Sequence, residues 1–468
     1  MLNISPLTIG KIHIIGIGGI GMSGIAKVLS HMGYQVQGSD QHQSTNIDRL
    51  EEKGIHVFIG HDQRNITSDI EVIVYSSAVN QNNPELIAGK ERGIPLLKRA
   101  EMLSELMRFY HTVAISGSHG KTTTTSLIGH VLKDIHPTVI NGGVANTDGS
   151  NVQIGSGSWM VVEADESDGT FVRVPATVGV VTNIDAEHLE FYGSFDAVIE
   201  HFRHFIEGVA FYGFAVLCFD HPVVRRLAEE TVDTRVVTYG FDEGADYQVY
   251  NLRSSAEGTV FNVRATKSNS EMMDVFVPLH GRHNALNALA AIVVALKLRI
   301  SPESIRGQLS HFKGVRRRFS LAGEVNGIQF IDDYAHHPVE IQAVLETARP
   351  LVSGKLIVVF QPHRYSRLNA FFEDFIHSTR GCDFLFVLPV YAAGEEKGSQ
   401  KDHHDFLESY RSKGQASCRL VESRAGLTAD LGRLSLEEGS MVLFLGAGDV
   451  TKWAYEVPPL FQEYLERK

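Results

Sequence analysis

The stretch AISGSHGKTTTTS, residues 114–126, decides how this chain is read. Residues 111–116, HTVAIS, predict a buried strand, and residues 122–133 predict a helix. Residues 117–123 are then the turn between them. A strand that passes into a helix through glycines, a lysine and hydroxyls makes a phosphate cradle. Its backbone N–H groups wrap an anion, and the helix N-terminus adds a favourable dipole. Gly117, Ser118, His119, Gly120 and Thr123 would line that cradle. Lys121 would meet the β- and γ-phosphates, and the Thr122 hydroxyl a metal ion. The loop reads G-x-x-G-K-T-T, shorter than the common nucleotide-binding pattern, because Ile115 stands where that pattern has glycine. A plain capping turn with a surface lysine explains the combination less well.

Working outward, the next strands end in groups suited to metal and phosphate. Residues 159–164 predict a strand that runs into VVEADESDGTF, which carries Glu163, Asp165, Glu166 and Asp168. Carboxylates at such a strand end hold Mg²⁺ directly or through water. Residues 178–181 predict another strand, followed by VTNIDAEHLEFYG, where His188 is a candidate metal ligand. Upstream, KIHIIGIGGIGMSGIAKVLSHMGYQVQGSD predicts a βαβ unit, with a strand at 12–15, a helix at 22–32 and a second strand at 34–38. Its glycines, Gly16, Gly18, Gly19 and Gly21, with Ser39 and Asp40 after the second strand, fit a bound diphosphate. The residues alone accept NAD, FAD or a nucleotide sugar there.

Strands at 56–59, 71–76 and near 95–96, with a helix at 100–109, complete a first parallel-sheet segment. Residues 247–278 alternate in a β-rich way, and 284–298 predict a helix. GRHNALNA places His283, Asn284 and Asn287 at that helix start, where amides suit a nucleotide. A third segment carries strands at 328–331, 355–360, 384–390 and 441–445, with helices after Pro338 and over 369–379. FIDDYAHHP puts Asp332, Asp333, Tyr334, His336 and His337 at a strand end. FQPHRYSR adds His363, Arg364 and Arg367, whose arginines would share a helical face and clamp a carboxylate or phosphate. Strands alternating with helices throughout define an α/β chain of three domains: 1–108, 109–320 and 321–468.

Composition narrows the function classes. The 468 residues are 43% hydrophobic and 21% charged, which suits folded domains and not a disordered chain. A net charge of −12 argues against nucleic acid as a partner. Cys218, Cys382 and Cys418 show neither zinc spacing nor a disulfide framework. The N-terminus lacks a secretory pattern, and no apolar run reaches the about 18 residues of a membrane span. The expectation is a cytoplasmic protein without membrane insertion.

The ordered set IGIGGIGMSGIA, SGSHGKTTTTS, EADESDGTF, TNIDAEHLEFYG, GRHNALNA, DDYAHHP, FQPHRYSR and GAGD, spanning residues 14–449, resembles the amino-acid-adding (Mur) ligases of peptidoglycan synthesis. The resemblance implies three domains: a Rossmann-like one for a UDP-sugar, a central P-loop one for ATP, and a C-terminal Rossmann-like one for the amino acid. It implies ATP with Mg²⁺, which Mn²⁺ can replace, and joining of L-alanine to the carboxylate of UDP-N-acetylmuramate through an acyl phosphate. A monomer and a homodimer both fit it. The first glycine loop then takes the UDP-sugar and not NAD. Lys121 and Thr122 fall on the ATP loop and its metal. Glu166 and His188 fall on metal positions, and Asn284 and Asn287 on a nucleotide contact. His336, Arg364 and Arg367 fall where amino acid and transferring phosphate are handled, His336 being a candidate base. Several family members carry a modified lysine 13–15 residues beyond the position of His188. Here residues 201–205 read HFRHF, so none is expected.

Overall fold

The computed structural model describes residues 9–76, 78–142, 151–167, 169–255, 257–414 and 417–467. Asp168 and the start of the N-terminal stretch lie outside the described residues. Among the described residues, twenty-one strands form three sheets, each with helices, so the chain is α/β with three domains.

The first sheet contains β1 (Lys11–Ile15), β2 (Val36–Asp40), β3 (His56–Ile59), β4 (Ile70–Tyr75) and β5 (Leu96–Lys98), all parallel. Their order is β3-β2-β1-β4-β5, so the winding reverses between β1 and β4. In open parallel sheets, ligands bind at the carboxyl edge beside such a reversal. The helix Ile20–His31 starts there, two residues earlier than its pattern predicted. β2 is shifted by two residues from the predicted 34–38, which places Ser39 and Asp40 inside the strand and not beyond it. The pairing partner decides this: Ser39 registers with Ile15 and Phe58.

The second sheet runs β15-β14-β13-β12-β11-β10-β6-β9-β7-β8. It comprises β6 (His111–Ser116), β7 (Thr138–Ile140), β8 (Val152–Gln153), β9 (Trp159–Glu163), β10 (Val178–Val181), β11 (Phe214–Cys218), β12 (Val236–Gly240), β13 (Tyr247–Ser255), β14 (Gly258–Ala265) and β15 (Ser270–Val277). β6 lies well inside the sheet, with β10 and β9 parallel on either side. Val113, Ala114 and Ile115 are fully buried, as a strand covered on both faces requires. The first sheet, and the second apart from the ends of β13 and β14 at residues 254–259, lie in one compact unit: residues 1–253, 260–278 and 284–313. Its continuous apolar core includes Ile14, Met22, Leu106, Met160, Val162 and Phe202.

The second compact unit, residues 254–259, 279–283 and 314–468, holds the third sheet. Its order is β16-β17-β21-β18-β19-β20, from β16 (Ser320–Val325), β17 (Ile328–Asp333), β18 (Leu356–Phe360), β19 (Phe384–Val387), β20 (Ser417–Leu420) and β21 (Met441–Leu445). Among the described residues of this sheet, only the edge strand β16 is antiparallel to its neighbour. The predicted helix over 369–379 is two helices, Tyr365–Ala370 and Phe372–Ser378, followed by a 3₁₀ turn. Phe360 is fully buried and packs its ring against Phe375 and Phe406. We expect Phe360→Ala to destabilise this unit by about 3–5 kcal/mol. Chemical denaturation followed by a probe in residues 314–467 checks this, and a loss below about 1 kcal/mol would contradict the packing.

Candidate active site

The central loop leaves the end of β6 between two strands that both end in polar residues. β9 delivers Glu163, then Asp165 and Glu166. β10 delivers Thr182, Asn183 and Asp185. The loop is stitched to the β10 side. The His119 N–H donates to Asn183 Oδ1 at 2.7 Å, and the Thr182 hydroxyl donates to the His119 carbonyl at 2.7 Å. The Asp185 N–H donates to Ser118 Oγ at 2.8 Å. Asp185 also lies 3.2 Å from His119 Nε2 and 3.5 Å from His221 Nε2. Burial works against its charge, but these two histidines hold its carboxyl well below the usual range.

Two glycines are required by shape. Gly117 has φ +138°, and a Cβ there would stand 2.1 Å from the Thr182 hydroxyl. Gly120, at φ +82°, caps the helix Lys121–Val131, and a Cβ there would stand 2.7 Å from Asn287 Oδ1. Left-handed backbone suits glycine, because an L side chain crowds it. The helix itself buries Thr122–Thr125, β-branched residues that propensity does not favour. Hydrogen bonds offset this in part. The Thr124 hydroxyl donates to Asn287 Oδ1 at 3.1 Å, and Asn287 Nδ2 donates to Asn284 Oδ1 at 3.1 Å. Asn284 and Asn287 therefore sit against the loop helix. His283 belongs to the second compact unit and is exposed.

Lys121 turns back over its own loop. Its ammonium donates to the carbonyls of Gly117 at 2.6 Å and Ser118 at 3.1 Å, and to Glu166 Oε1 at 2.8 Å. Although burial opposes its charge, Glu166 and Glu163 keep it protonated. The Thr122 hydroxyl donates to Glu163 Oε2 at 2.9 Å, and Gly142 N–H donates to the same oxygen at 2.8 Å. Thr122 therefore pairs with Glu163. Glu166, Glu187 and His188 form the second cluster, each offering an atom within 4.8 Å of the others. His188 takes φ +56° at the start of the helix Leu189–Tyr192. Glu166 Oε2 is buried and lacks a hydrogen-bond partner, and burial lifts its carboxyl to about 7 against the pull of Lys121. An oxygen-rich cluster with an unsatisfied buried carboxylate fits a hard divalent cation. Glu187 is not among the candidates the sequence pointed to, whereas Glu163 is one of the four carboxylates read at that strand end. The signal for Glu163 was its place as the last residue of the strand.

The remaining predicted groups also lie at carboxyl edges. In the first sheet, Gly18 N–H donates to Asp40 Oδ2 at 2.9 Å, and the N–H groups of Gly16 and Ile17 donate to the Ser39 carbonyl. Gly19 precedes the helix, and Gly21, in its first turn, lies against Arg99, which is 3.7 Å from Asp165. In the third sheet, Tyr334 and His336 follow β17, while His363 and Arg364 follow β18. His336 Nδ1 lies 3.0 Å from the Tyr334 carbonyl and 3.2 Å from Glu340. His336 and His363 have ring centroids 5.8 Å apart, and His363 stacks on Tyr391. Burial, then His336, Arg367 and Arg364, push His363 down to about 4, so a neutral ring sits in a positive field. Arg364 is not on a helical face with Arg367. It takes φ +66° ahead of the helix Tyr365–Ala370, and its N–H donates to the Tyr391 carbonyl. Asp333 is structural: it accepts from the N–H groups of Phe319 and Ala335, each at 2.7 Å.

The fold and this loop define a three-domain α/β protein with a P-loop-type turn in its central sheet. Three family patterns match in sequence order: "Mur ligase family, catalytic domain" over residues 11–111, "Mur ligase middle domain" over 115–295, and "Mur ligase, glutamate ligase domain" over 317–448. The chain belongs to the Mur ligase family. It is 50% identical over 459 residues to a UDP-N-acetylmuramate–L-alanine ligase of Agrobacterium fabrum, covering 97% of each chain. It is 51% identical to the protein of that name from Chelativorans sp., over 97% of this chain and 98% of the relative. Among solved structures, a UDP-N-acetylmuramate–alanine ligase from Thermotoga maritima superposes with a TM-score of 0.79 at 28% identity, over 98% of this chain and all of the other. A murein peptide ligase from Psychrobacter arcticus shares the fold, with a TM-score of 0.68 at 22% identity, over 97% and 99%.

Two outcomes follow for this site. Gly117→Ala, which meets both the hydroxyl and the left-handed backbone, should weaken nucleotide binding at least about tenfold, about 1.4 kcal/mol. Equilibrium dialysis with labelled nucleotide reads it, and unchanged affinity would contradict the clash. The second concerns pH. The folded carboxyl of Glu166 lies above its ordinary value, so at lower pH a cation must displace its proton. Mg²⁺ affinity should fall by up to about tenfold per unit as pH drops below about 7, and flatten above it. A Glu166→Gln variant should lose that slope in Mg²⁺ titration calorimetry.

Proposed function

We propose that the chain is an ATP-dependent ligase that joins L-alanine to the carboxylate of UDP-N-acetylmuramate, giving UDP-N-acetylmuramoyl-L-alanine, ADP and phosphate. The observation that carries this reading is the Lys121 loop between two carboxylate-bearing strand ends, in a chain half identical along its length to alanine ligases. The substrate carboxylate attacks the γ-phosphate of ATP and becomes an acyl phosphate, an activated leaving group. The alanine amine then attacks the acyl carbon, and phosphate leaves.

Each part of the chain has a task in that sequence. Lys121 leaves Glu166 and meets the β- and γ-phosphates, offsetting charge as the phosphoryl group moves. Thr122 and Glu163 would hold one Mg²⁺, and Glu166, Glu187 and His188 a second. Mg²⁺ supplies charge neutralisation across the phosphate oxygens. Gly16, Gly18, Gly19, Gly21, Ser39 and Asp40 hold the UDP-sugar. Tyr334, His336, Arg364 and Arg367 hold the amino acid and the transferring phosphate. Arg367 and Arg364 both lie close enough to His363 to act on its charge, and their guanidinium groups would meet an anion there. His336, oriented through Nδ1, would take the amine proton.

The test is ADP release with UDP-N-acetylmuramate, run with L-alanine, with the L-alanyl-γ-D-glutamyl-diaminopimelate tripeptide, and with neither. L-Alanine alone should stimulate release. Stimulation by the tripeptide alone would overturn the reading. Lys121→Ala should lower kcat by at least about 10²-fold, the size of effect seen when a charge-stabilising donor is removed.

A further inference from the structure

The first compact unit buries an ionisable cluster that the phosphoryl chemistry leaves unused. Glu85 lies in the first turn of the helix Pro84–Glu91, with its side chain fully buried. Its Oε1 accepts from Asn65 Nδ2 at 2.6 Å. Its Oε2 accepts from the Ser39 hydroxyl at 2.5 Å, and lies 3.2 Å from His61 Nδ1 and 3.5 Å from His13 Nε2. Replacing such a buried charged cluster by apolar residues of equal volume is often no loss in stability, so its presence asks for another reason.

Counting donors fixes the protons. The single Ser39 proton goes to Glu85. At the 3.0 Å contact between Ser39 Oγ and His61 Nδ1, the oxygen must therefore accept, so Nδ1 carries hydrogen. The same count fixes the layer beneath. The Gln37 amide donates to His13 Nδ1 at 3.2 Å, which leaves the His13 proton on Nε2, facing Glu85. His61 is the member that reaches the surface, at 12% exposure. Its hydrogen bonds run through Nδ1, so with the ring hydrogen there the lone pair lies on Nε2.

Position along the sheet edge says what meets that lone pair. The glycine loop stands over the end of β1, Ser39 and Asp40 stand at β2, and His61 follows β3 through Gly60, whose N–H donates to the Asp40 carbonyl at 2.7 Å. A nucleoside diphosphate with its phosphates on the glycine loop puts its ribose at β2 and its base toward β3. Uracil offers an N3–H donor at its pairing edge, whereas cytosine has a lone pair on N3. We propose that Glu85, acting through Ser39, holds His61 as the hydrogen-bond acceptor for the imide N–H of the nucleobase, and so selects uracil over cytosine. Glu85 and Ser39 are positioning residues in this arrangement. It rests on the reading of the first sheet as the sugar-nucleotide site.

The probes are UDP and CDP, measured by calorimetry on the full chain and as competitive inhibitors of the ligase reaction. Wild type should bind UDP at least about tenfold more tightly than CDP, the worth of one hydrogen bond made against one repelled. His61→Ala should abolish that ratio. Glu85→Gln and Ser39→Ala should each reduce it to about threefold or less, raising KM for the UDP-sugar while KM for ATP stays within about twofold. In the His61→Ala background, Glu85→Gln should add nothing further to the ratio, because the acceptor it positions is gone. An unchanged ratio in His61→Ala overturns the proposal, as does a Glu85→Gln variant that raises both KM values alike with the ratio intact. Ser39→Ala removes one hydroxyl and keeps the proposal testable if Glu85→Gln fails to fold. Absence of product from wild type would sink the ligase reading, while the UDP and CDP affinities would still decide this one.

Discussion

One ammonium group holds the centre of this molecule together. Lys121 sits among the carbonyls of its own loop and the buried Glu166, with Glu163 close enough to add to its charge stabilisation. Carboxylates outnumber the cation there, so the site carries a standing excess of negative charge that divalent ions can balance. The arrangement depends on sheet order. Because β6 runs between β9 and β10, its loop emerges between two strand ends, one bearing acids and the other bearing amide and hydroxyl partners. A different neighbour on either side would leave the lysine without its counter-charge or the loop without its stitching.

The first and third sheets repeat this logic with different chemistry at their edges. In the first, an acid at a strand end accepts from the glycine loop and holds the turn shut around its own backbone. In the third, β21 lies between β17 and β18, and the two outer strands carry the histidines and arginines. Parallel sheets direct all their strand ends one way, so a few residues beyond each strand suffice to assemble a site.

Much of this was legible in the residues, and the misses have physical causes. β6, β9 and β10 are short apolar runs buried on both faces, and glycine or acid residues mark their ends sharply. β11 and β12 are not marked by any chemistry-bearing motif, although Phe214–Cys218 is as apolar. β16 carries a glycine and half-exposed positions, so its alternation is weak. The helix Val450–Glu466 contains Pro458 and Pro459, which local preference forbids and tertiary packing overrides, with Val457, Pro458 and Phe461 buried. In the site, a run of four carboxylates offered no local way to choose. Glu163 and Glu166 face different partners because one ends the strand and the other lies in the following turn. Arginines three apart suggested one helical face, but the positive φ at Arg364 is set by its bond to Tyr391, far along the chain.

His188 and Arg364 share a feature whose cost is thermodynamic. Each is a non-glycine residue with a positive φ at the start of a short helix, one in each compact unit. That conformation is uphill by about 1–2 kcal/mol for an ordinary L-residue. Glycine at either position would relieve the strain and discard the side chain that the strain aims. These are therefore places where selection for heat resistance and selection for turnover pull on the same codon in opposite directions, and a thermally hardened variant should be made elsewhere in the chain.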